Sequence, residues 1–277
     1  MKTVLVVANE TLGGKPLIDA IRARAAEGDV RFVLCVPQSR PRAGLVVYDD
    51  AVSDAAQARV DLALGFIRSE DIEAIGEVGD PDPYAATMDA VYEYRPDEII
   101  ISTYPATRSG WLRRDLIERV TEASGLPVEH VVADIDNDGL EFKVTLVIAN
   151  RTAGGDELLE ALKAKADTKD HGETGRLYLV VIPQEGGDGP ATRARLTSVI
   201  ERLRAAGLFA TGMTGDPDPY TATMNALQSF RVDEIVISTF AETKSGWLRA
   251  DLIQRVRNAS GKEVEHIVQQ DSVTTGA

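Results

Sequence analysis

Two stretches of this chain gather hydroxyls, amides, a cation and glycines at spacings suited to holding an anion. The first is Ser102-Thr103-Tyr104-Pro105-Ala106-Thr107-Arg108-Ser109-Gly110-Trp111. Here Thr103, Thr107, Arg108, Ser109 and Gly110 lie between an apolar run and a helical pattern. A helix N-terminus carries partial positive charge and unpaired N–H groups, so a phosphate is one reading; a polar loop without a ligand is the other. No G-x-x-x-x-G-K-[ST] occurs, so this is not a Walker loop. The second stretch is Ala8-Asn9-Glu10-Thr11-Leu12-Gly13-Gly14. Asn9 and Thr11 can read a base or a ribose, and Gly13 begins a Gly-Gly pair that can offer N–H groups to an anion. In the competing reading Thr11 caps a helix and the glycines only turn the chain.

Both stretches occur twice. Ser238–Trp247 repeats the first, with Thr239, Thr243, Lys244, Ser245 and Gly246 in the corresponding places. Ala149–Gly155 repeats the second, with Asn150, Thr152 and Gly154. GDPDPYAATMDA from Gly79 returns as GDPDPYTATMNA from Gly215, at the offset that also relates Gly110 to Gly246. A repeat of this length is a duplicated domain, not a solenoid unit.

The Gly-Asp-Pro-Asp-Pro segments have a sufficient local cause. Asp82 and Asp218 are placed to accept the first helical N–H groups, with Pro83 and Pro219 at N1, where no N–H is needed. Gly79 is read as the residue that lets the chain turn. A metal held by Asp80 and Asp82 is the alternative. His130 and His266 are twins in VEHVV and VEHIV, with no His or Cys at ligand spacing, so no metal site is expected. They would meet only if the repeats pair through their last strands. Trp111 and Trp247 either stack on a base or pack on the sheet, and packing is expected. Cys35, in an apolar run, reads as a buried thiol. No nucleophile–His–acid pattern emerges, so no catalytic residue is assigned.

These residues need a frame, and the apolar pattern supplies one. Short, wholly apolar runs mark strands buried on both faces. They fall at Val4–Val7, Phe32–Val36, Ile72–Val78, Glu98–Ser102 and Val128–Val132, then at Val144–Ala149, Leu177–Ile182, Phe209–Thr214, Glu234–Ser238 and Val264–Val268. Helical periodicity lies between them, including Pro16–Ala26, Ser53–Ile67, Pro83–Tyr94 and Trp111–Ala123. Alternating strand and helix predicts an α/β fold with parallel sheets, in two domains of residues 1–134 and 143–271 joined by a linker at 135–142. The 277 residues fit two domains.

Composition narrows the partners. With 44 acidic and 30 basic residues the formal net charge is −14, so nucleic acid and anionic membrane surfaces are not expected partners. One cysteine suits a reducing compartment. The start, MKTVLVVANETLGG, is too polar for a signal peptide, and no run reaches the ~20 apolar residues of a membrane span. A soluble cytoplasmic protein is expected.

The chain resembles the universal stress protein family, as a tandem pair. The likeness rests on VVANE and VIANR at the ends of the first strands, EVGDPDPYAATMDA, the TRSGWL and TKSGWL turns, the Glu118–Val120 run and LPVEHVV. It implies five-stranded parallel sheets of order 3-2-1-4-5 flanked by helices. It also implies pairing of the two domains through their last strands as a pseudo-twofold intramolecular dimer, and in some members ATP or another adenine nucleotide in the cleft. Nucleotide-binding members carry G-x-x-G, nine residues, then G-[ST], with an acid after the first strand. Here Ser102 opens the turn, Arg114-Asp115 and Ala250-Asp251 stand where G-[ST] would, and Asn9 and Asn150 replace the acid. A carboxylate at that place repels a phosphate. The expectation is therefore a non-enzymatic stress or regulatory protein that binds a small anion, a nucleotide such as ATP, or a protein partner. A slow ATPase and a structural assembly module are the alternatives.

Overall fold

The computed structural model describes residues 1–38, 49–112, 115–167, 175–184, 188–241, 246–249 and 251–270. The chain divides into two units, Met1–Phe142 and Lys143–Ala277. Among the described residues no helix is long and apolar enough to cross a membrane.

Unit 1 runs β1 (Lys2–Val7), α1 (Lys15–Ala26), β2 (Val30–Pro37), α2 (Asp49–Ser69), β3 (Ala74–Gly79), α3 (Pro83–Tyr94), β4 (Glu98–Thr103), α4 (Leu116–Ser124), β5 (Val128–Val132) and a single turn, α5 (Ile135–Asp138). All its strands pair in parallel, in the order β3-β2-β1-β4-β5. Unit 2 repeats this with β6 (Lys143–Ile148), α6 (Asp156–Asp167), β7 (Arg176–Pro183), α7 (Gly189–Ala205), β8 (Phe209–Gly215), α8 (Pro219–Ser229), β9 (Glu234–Phe240), α9 (Gly246–Arg249), α10 (Leu252–Ser260) and β10 (Glu263–Gln269). Its parallel order is β8-β7-β6-β9-β10. The tandem α/β architecture is thus the one the alternating pattern predicts.

Strands buried on both faces explain the unbroken apolar runs: Val4 to Val7 and Leu177 to Ile182 are almost wholly inaccessible. In unit 1, α3 and α4 cover one face through Ala86, Ala90, Leu116 and Val120 on Leu5, Val7, Ile99 and Ile101. In unit 2, α6 and α7 cover a face through Leu158, Leu162, Leu196 and Val199 on Val147, Tyr178, Val180 and Val236. The buried Tyr178 hydroxyl donates to the Leu162 carbonyl at 2.6 Å, so the phenol enters the core satisfied.

Three local expectations change. Gly79 and Gly215 are needed for close packing, not for a turn. A Cβ on Gly79 would lie 2.7 Å from Ala86 Cβ and 2.9 Å from Cys35 Sγ, and one on Gly215 would lie 2.8 Å from Ala222 Cβ and from Val181 Cγ1. The helix expected over 111–123 begins only at Leu116, because Asp115 takes a left-handed conformation with φ +51°; its twin Asp251 has φ +52°. Residues 135–142, expected as a linker, fold onto unit 1. Gly14 bridges to Leu140, the Glu141 N–H donates to the Gly13 carbonyl at 2.9 Å, and the Phe142 ring packs 5.2 Å from that of Phe66.

Candidate functional site

In each unit the chain leaves the first strand toward one side of the sheet and crosses to the other side for the fourth. The first and fourth strands are neighbours, so strand order reverses between them, and it is in the crevice at the carboxyl ends of such a switch point that open α/β sheets hold ligands. The turns after β1 and β6 form one wall and the segments after β4 and β9 the other.

The first-strand turns are built alike. Asn9 and Asn150 accept the Leu12 and Ala153 N–H groups on their carbonyls, and Thr11 and Thr152 accept those of Gly14 and Gly155. The Thr11 hydroxyl then reaches across to donate to the Ser102 carbonyl at 3.2 Å, and the Thr152 hydroxyl donates to the Ser238 carbonyl at 2.9 Å. These buried threonines stitch the two walls together. Ser102 and Ser238 are each 1% exposed, and their buried hydroxyls have no hydrogen-bond partner among the described residues.

Around this shared plan the units diverge. In unit 1, Asn9 Nδ2 donates to the Pro37 carbonyl at 2.7 Å, while its buried Oδ1 has no partner among the described residues. In unit 2, Asn150 Oδ1 accepts from Arg195 Nη1 on α7. Arg59 on α2 occupies the place of Arg195, in Ala-Arg-Val against Ala-Arg-Leu. Burial pulls the Arg59 guanidinium below its ordinary value, opposed by the nearby Glu10 carboxylate. Glu10 has Arg151 as its counterpart, a reversal of charge within the turn. Gly13, with φ +102°, is buried beneath the Phe142 ring; Gly154 is exposed, and a Cβ there would meet nothing within 4 Å.

The fourth-strand segments behave differently from the expectation. Because α4 starts at Leu116, Thr107–Gly110 do not stand at its N-terminus. The Arg108 guanidinium is paired with Asp136 and lies 4.6 Å over the Tyr104 ring, so its charge is already matched. Ser109 is buried and its Oγ accepts from the Leu112 N–H at 3.3 Å; Thr107 and Gly110 are exposed. Burial and the carboxylates of Glu10 and Asp136 push the Tyr104 phenol up, so it stays a neutral donor at any physiological pH. In unit 2, Gly246 opens the single turn α9, and Thr243, Lys244 and Ser245 lie outside the described residues.

Thr103 and Thr239 serve the last strands. Each Oγ1 donates to the next carbonyl, Tyr104 or Phe240, at 2.8 Å, and meets His130 or His266 Nε2 at 2.9 and 2.8 Å. With its proton on the carbonyl, each hydroxyl accepts from the imidazole and is not an activated nucleophile. Burial lowers both imidazoles below their usual value. Cys35 is buried, with its thiol pushed up to about 12 by burial, then by Glu77 and Asp89. Asp82 caps α3 through the Tyr84 N–H at 3.3 Å, and Asp218 caps α8 through that of Thr221 at 2.9 Å. Among the described residues no three His, Cys, Asp or Glu side chains are grouped to hold a metal. Trp111 packs against the apolar core.

The residues missed from sequence are Arg59 and Arg195. Their signal was present, since both repeats place an arginine inside an amphipathic helix at the offset relating Gly79 to Gly215. What hid it was that an arginine on a helix ordinarily faces water.

No protein-family model matches the chain, and no curated protein matches it. Among solved structures it is similar to a universal stress protein family protein from Arabidopsis thaliana with AMP bound, at 13% identity over 50% of this chain and 95% of that one, with a TM-score of 0.33. It is similar to a universal stress protein from Archaeoglobus fulgidus at 15% identity over 96% and 97% of the two chains, with a TM-score of 0.37. It is also similar to a precorrin-6A reductase at 12% identity over 98% and 89%, with a TM-score of 0.26. Likenesses this distant say nothing of what this chain binds.

Proposed function

We propose that the chain is a non-enzymatic regulatory protein of universal-stress-protein type that binds a small anionic ligand weakly at the carboxyl ends of its sheets. An adenine nucleotide is the first ligand to test, as the sequence resemblance implies. One observation carries the reading. In both units the crevice beside the first strand holds a buried serine hydroxyl, Ser102 or Ser238, with no partner among the described residues, next to a threonine that pins the crevice walls. Buried polar groups are normally satisfied, so a duplicated exception at the ligand end of a sheet points to a bound group or ordered water. The hydroxyls of Thr103 and Thr239 are turned onto backbone carbonyls beside their histidines, which favours binding over chemistry.

Titration calorimetry of the full chain with ATP, ADP and AMP, together with absorbance of the supernatant after denaturing freshly purified protein, tests this. Heat with at least one nucleotide at micromolar to millimolar affinity, with no phosphate release over hours, is expected. No heat with any of them and no released chromophore would remove the nucleotide; steady phosphate release that tracks protein concentration would reinstate an ATPase.

A further inference from the structure

The repeat leads one to expect two equivalent sites, yet the two crevices differ in charge and access. In unit 1 the turn carries Glu10, whose carboxylate acts on Arg59 and Tyr104, and Arg108 is spent on Asp136. Gly13 and Gly14 are buried, closed over by Leu140 and Phe142. An arriving anion meets a carboxylate, a committed arginine and a covered backbone.

In unit 2 the backbone is partly covered as well, with Gly155 against Gln269 and the Gly154 carbonyl accepting from Arg202, but the charge is reversed. Arg151 replaces Glu10 and is exposed, and Gly154 beside it is exposed too. Arg195, from α7, lies against the same turn, its Nη1 on Asn150 Oδ1. That bond uses one of five N–H donors and fixes the direction of the fork, leaving the others for a ligand. Among the described residues no carboxylate forms an ion pair with Arg151 or Arg195, whereas the nearby Arg202 is paired with Asp156. Below the turn lies Ser238, its carbonyl held by Thr152 and its buried hydroxyl without a partner among the described residues. Arg195, pre-oriented by the Asn150 amide, and Arg151, next to Asn150 in the same turn, supply two cations of the kind that a compact, doubly charged oxyanion needs.

We infer that unit 2 alone binds a phosphate monoester, through Arg195 and Arg151 with Asn150 as the positioning residue, and that Glu10 closes the corresponding place in unit 1 to anions. This deepens the reading above and rests on it: the ligand class is a nucleoside monophosphate or its like, and the stoichiometry is one per chain.

Calorimetry with AMP, adenosine and inorganic phosphate on the full chain tests it. Wild type should take up one equivalent of AMP, with adenosine weaker by about tenfold or more, the scale of a lost charge-assisted hydrogen bond. Arg195→Gln and Arg151→Glu should each weaken AMP by about tenfold or more, Arg59→Gln should leave it unchanged, and Glu10→Arg should leave the unit 2 site intact. Arg151 is exposed, so its variant tests the site without disturbing the core; far-ultraviolet circular dichroism checks the fold of each variant. Two equivalents of AMP, equal affinity for adenosine, or loss in Arg59→Gln with none in Arg195→Gln would overturn the inference while leaving nucleotide binding standing. No heat from AMP in wild type, with heat from another nucleotide, would overturn the monophosphate alone; no heat from any nucleotide would remove both readings.

Discussion

In unit 1 the turn after β1 is acidic and strapped down by residues 140–142; in unit 2 the equivalent turn exposes Arg151 and Gly154, with Arg195 of α7 against it and Gln269 over Gly155. Their backbones nonetheless follow one plan, with the same N–H partners and the same threonine hydroxyl crossing to the fourth strand. The comparison separates two kinds of constraint. Hydrogen bonds from the first-strand turn to the fourth strand are duplicated. Charge and access at the crevice mouth are free to differ, because a solvent-facing side chain changes stability by little.

The sharpest way to break this comparison is at its glycines. Gly13→Ala should destabilise the full chain by about 2 kcal/mol or more, since it forces a Cβ at φ +102° against a Phe142 ring that is itself buried. Gly154→Ala should stay within about 0.5 kcal/mol. Denaturant unfolding of both variants checks this, and equal losses would mean that the two turns are not differently covered. Next come the shared clamps. Thr11→Val and Thr152→Val should each cost about 1 kcal/mol, the net worth of one buried hydrogen bond. A loss in only one of them would show that the frame itself had diverged.

Smaller still are the twin arginine–tyrosine contacts on the helices. The Arg119 guanidinium lies 4.0 Å from the Tyr84 ring centroid, and that of Arg255 lies 4.2 Å from the Tyr220 ring centroid. Both arginines are exposed, so alanine at either should cost about 0.5–1 kcal/mol, to the same extent in both units, in thermal melts. The smallest effect is acid sensitivity. Burial depresses both His130 and His266, so the folded chain binds a proton there less readily than the unfolded chain. Their contribution is present above the unfolded value near 6.5 and is lost as pH falls through the lower folded values. Melting temperature should therefore drop between pH 7.5 and 5.5, and less steeply in His130→Gln/His266→Gln. Equal slopes would place the acid sensitivity elsewhere.

Much of this frame is legible in the residues. The duplicated Asp-Pro pairs read correctly as helix caps because capping is local, decided within four residues. The apolar runs of the inner strands, Val4–Val7 and Leu177–Ile182, read correctly as doubly covered because their composition reports both faces at once, whereas the edge strands β5 and β10 leave Val132 and Val268 exposed. Asp115 was not legible as a break, since nothing in its neighbours forces a left-handed φ and the helical pattern runs straight through it. Gly79 was misread because its reason is Ala86, seven residues on, and Cys35 on the neighbouring strand. Arg108 looked like the free cation of the crevice until Asp136, from beyond β5, was brought to it. Arg195 escaped notice for the converse reason, as its meeting with Asn150 depends on a helix crossing over the sheet.

The central claim is that duplication preserved the frame while confining anion recognition to the second copy. Backbone amide chemical shifts of the isotope-labelled full chain, followed while AMP is added, test it most directly. The account predicts saturable shifts at residues 149–155 with no comparable change at residues 8–14. Matched shifts at both turns, or shifts at 8–14 alone, would contradict it.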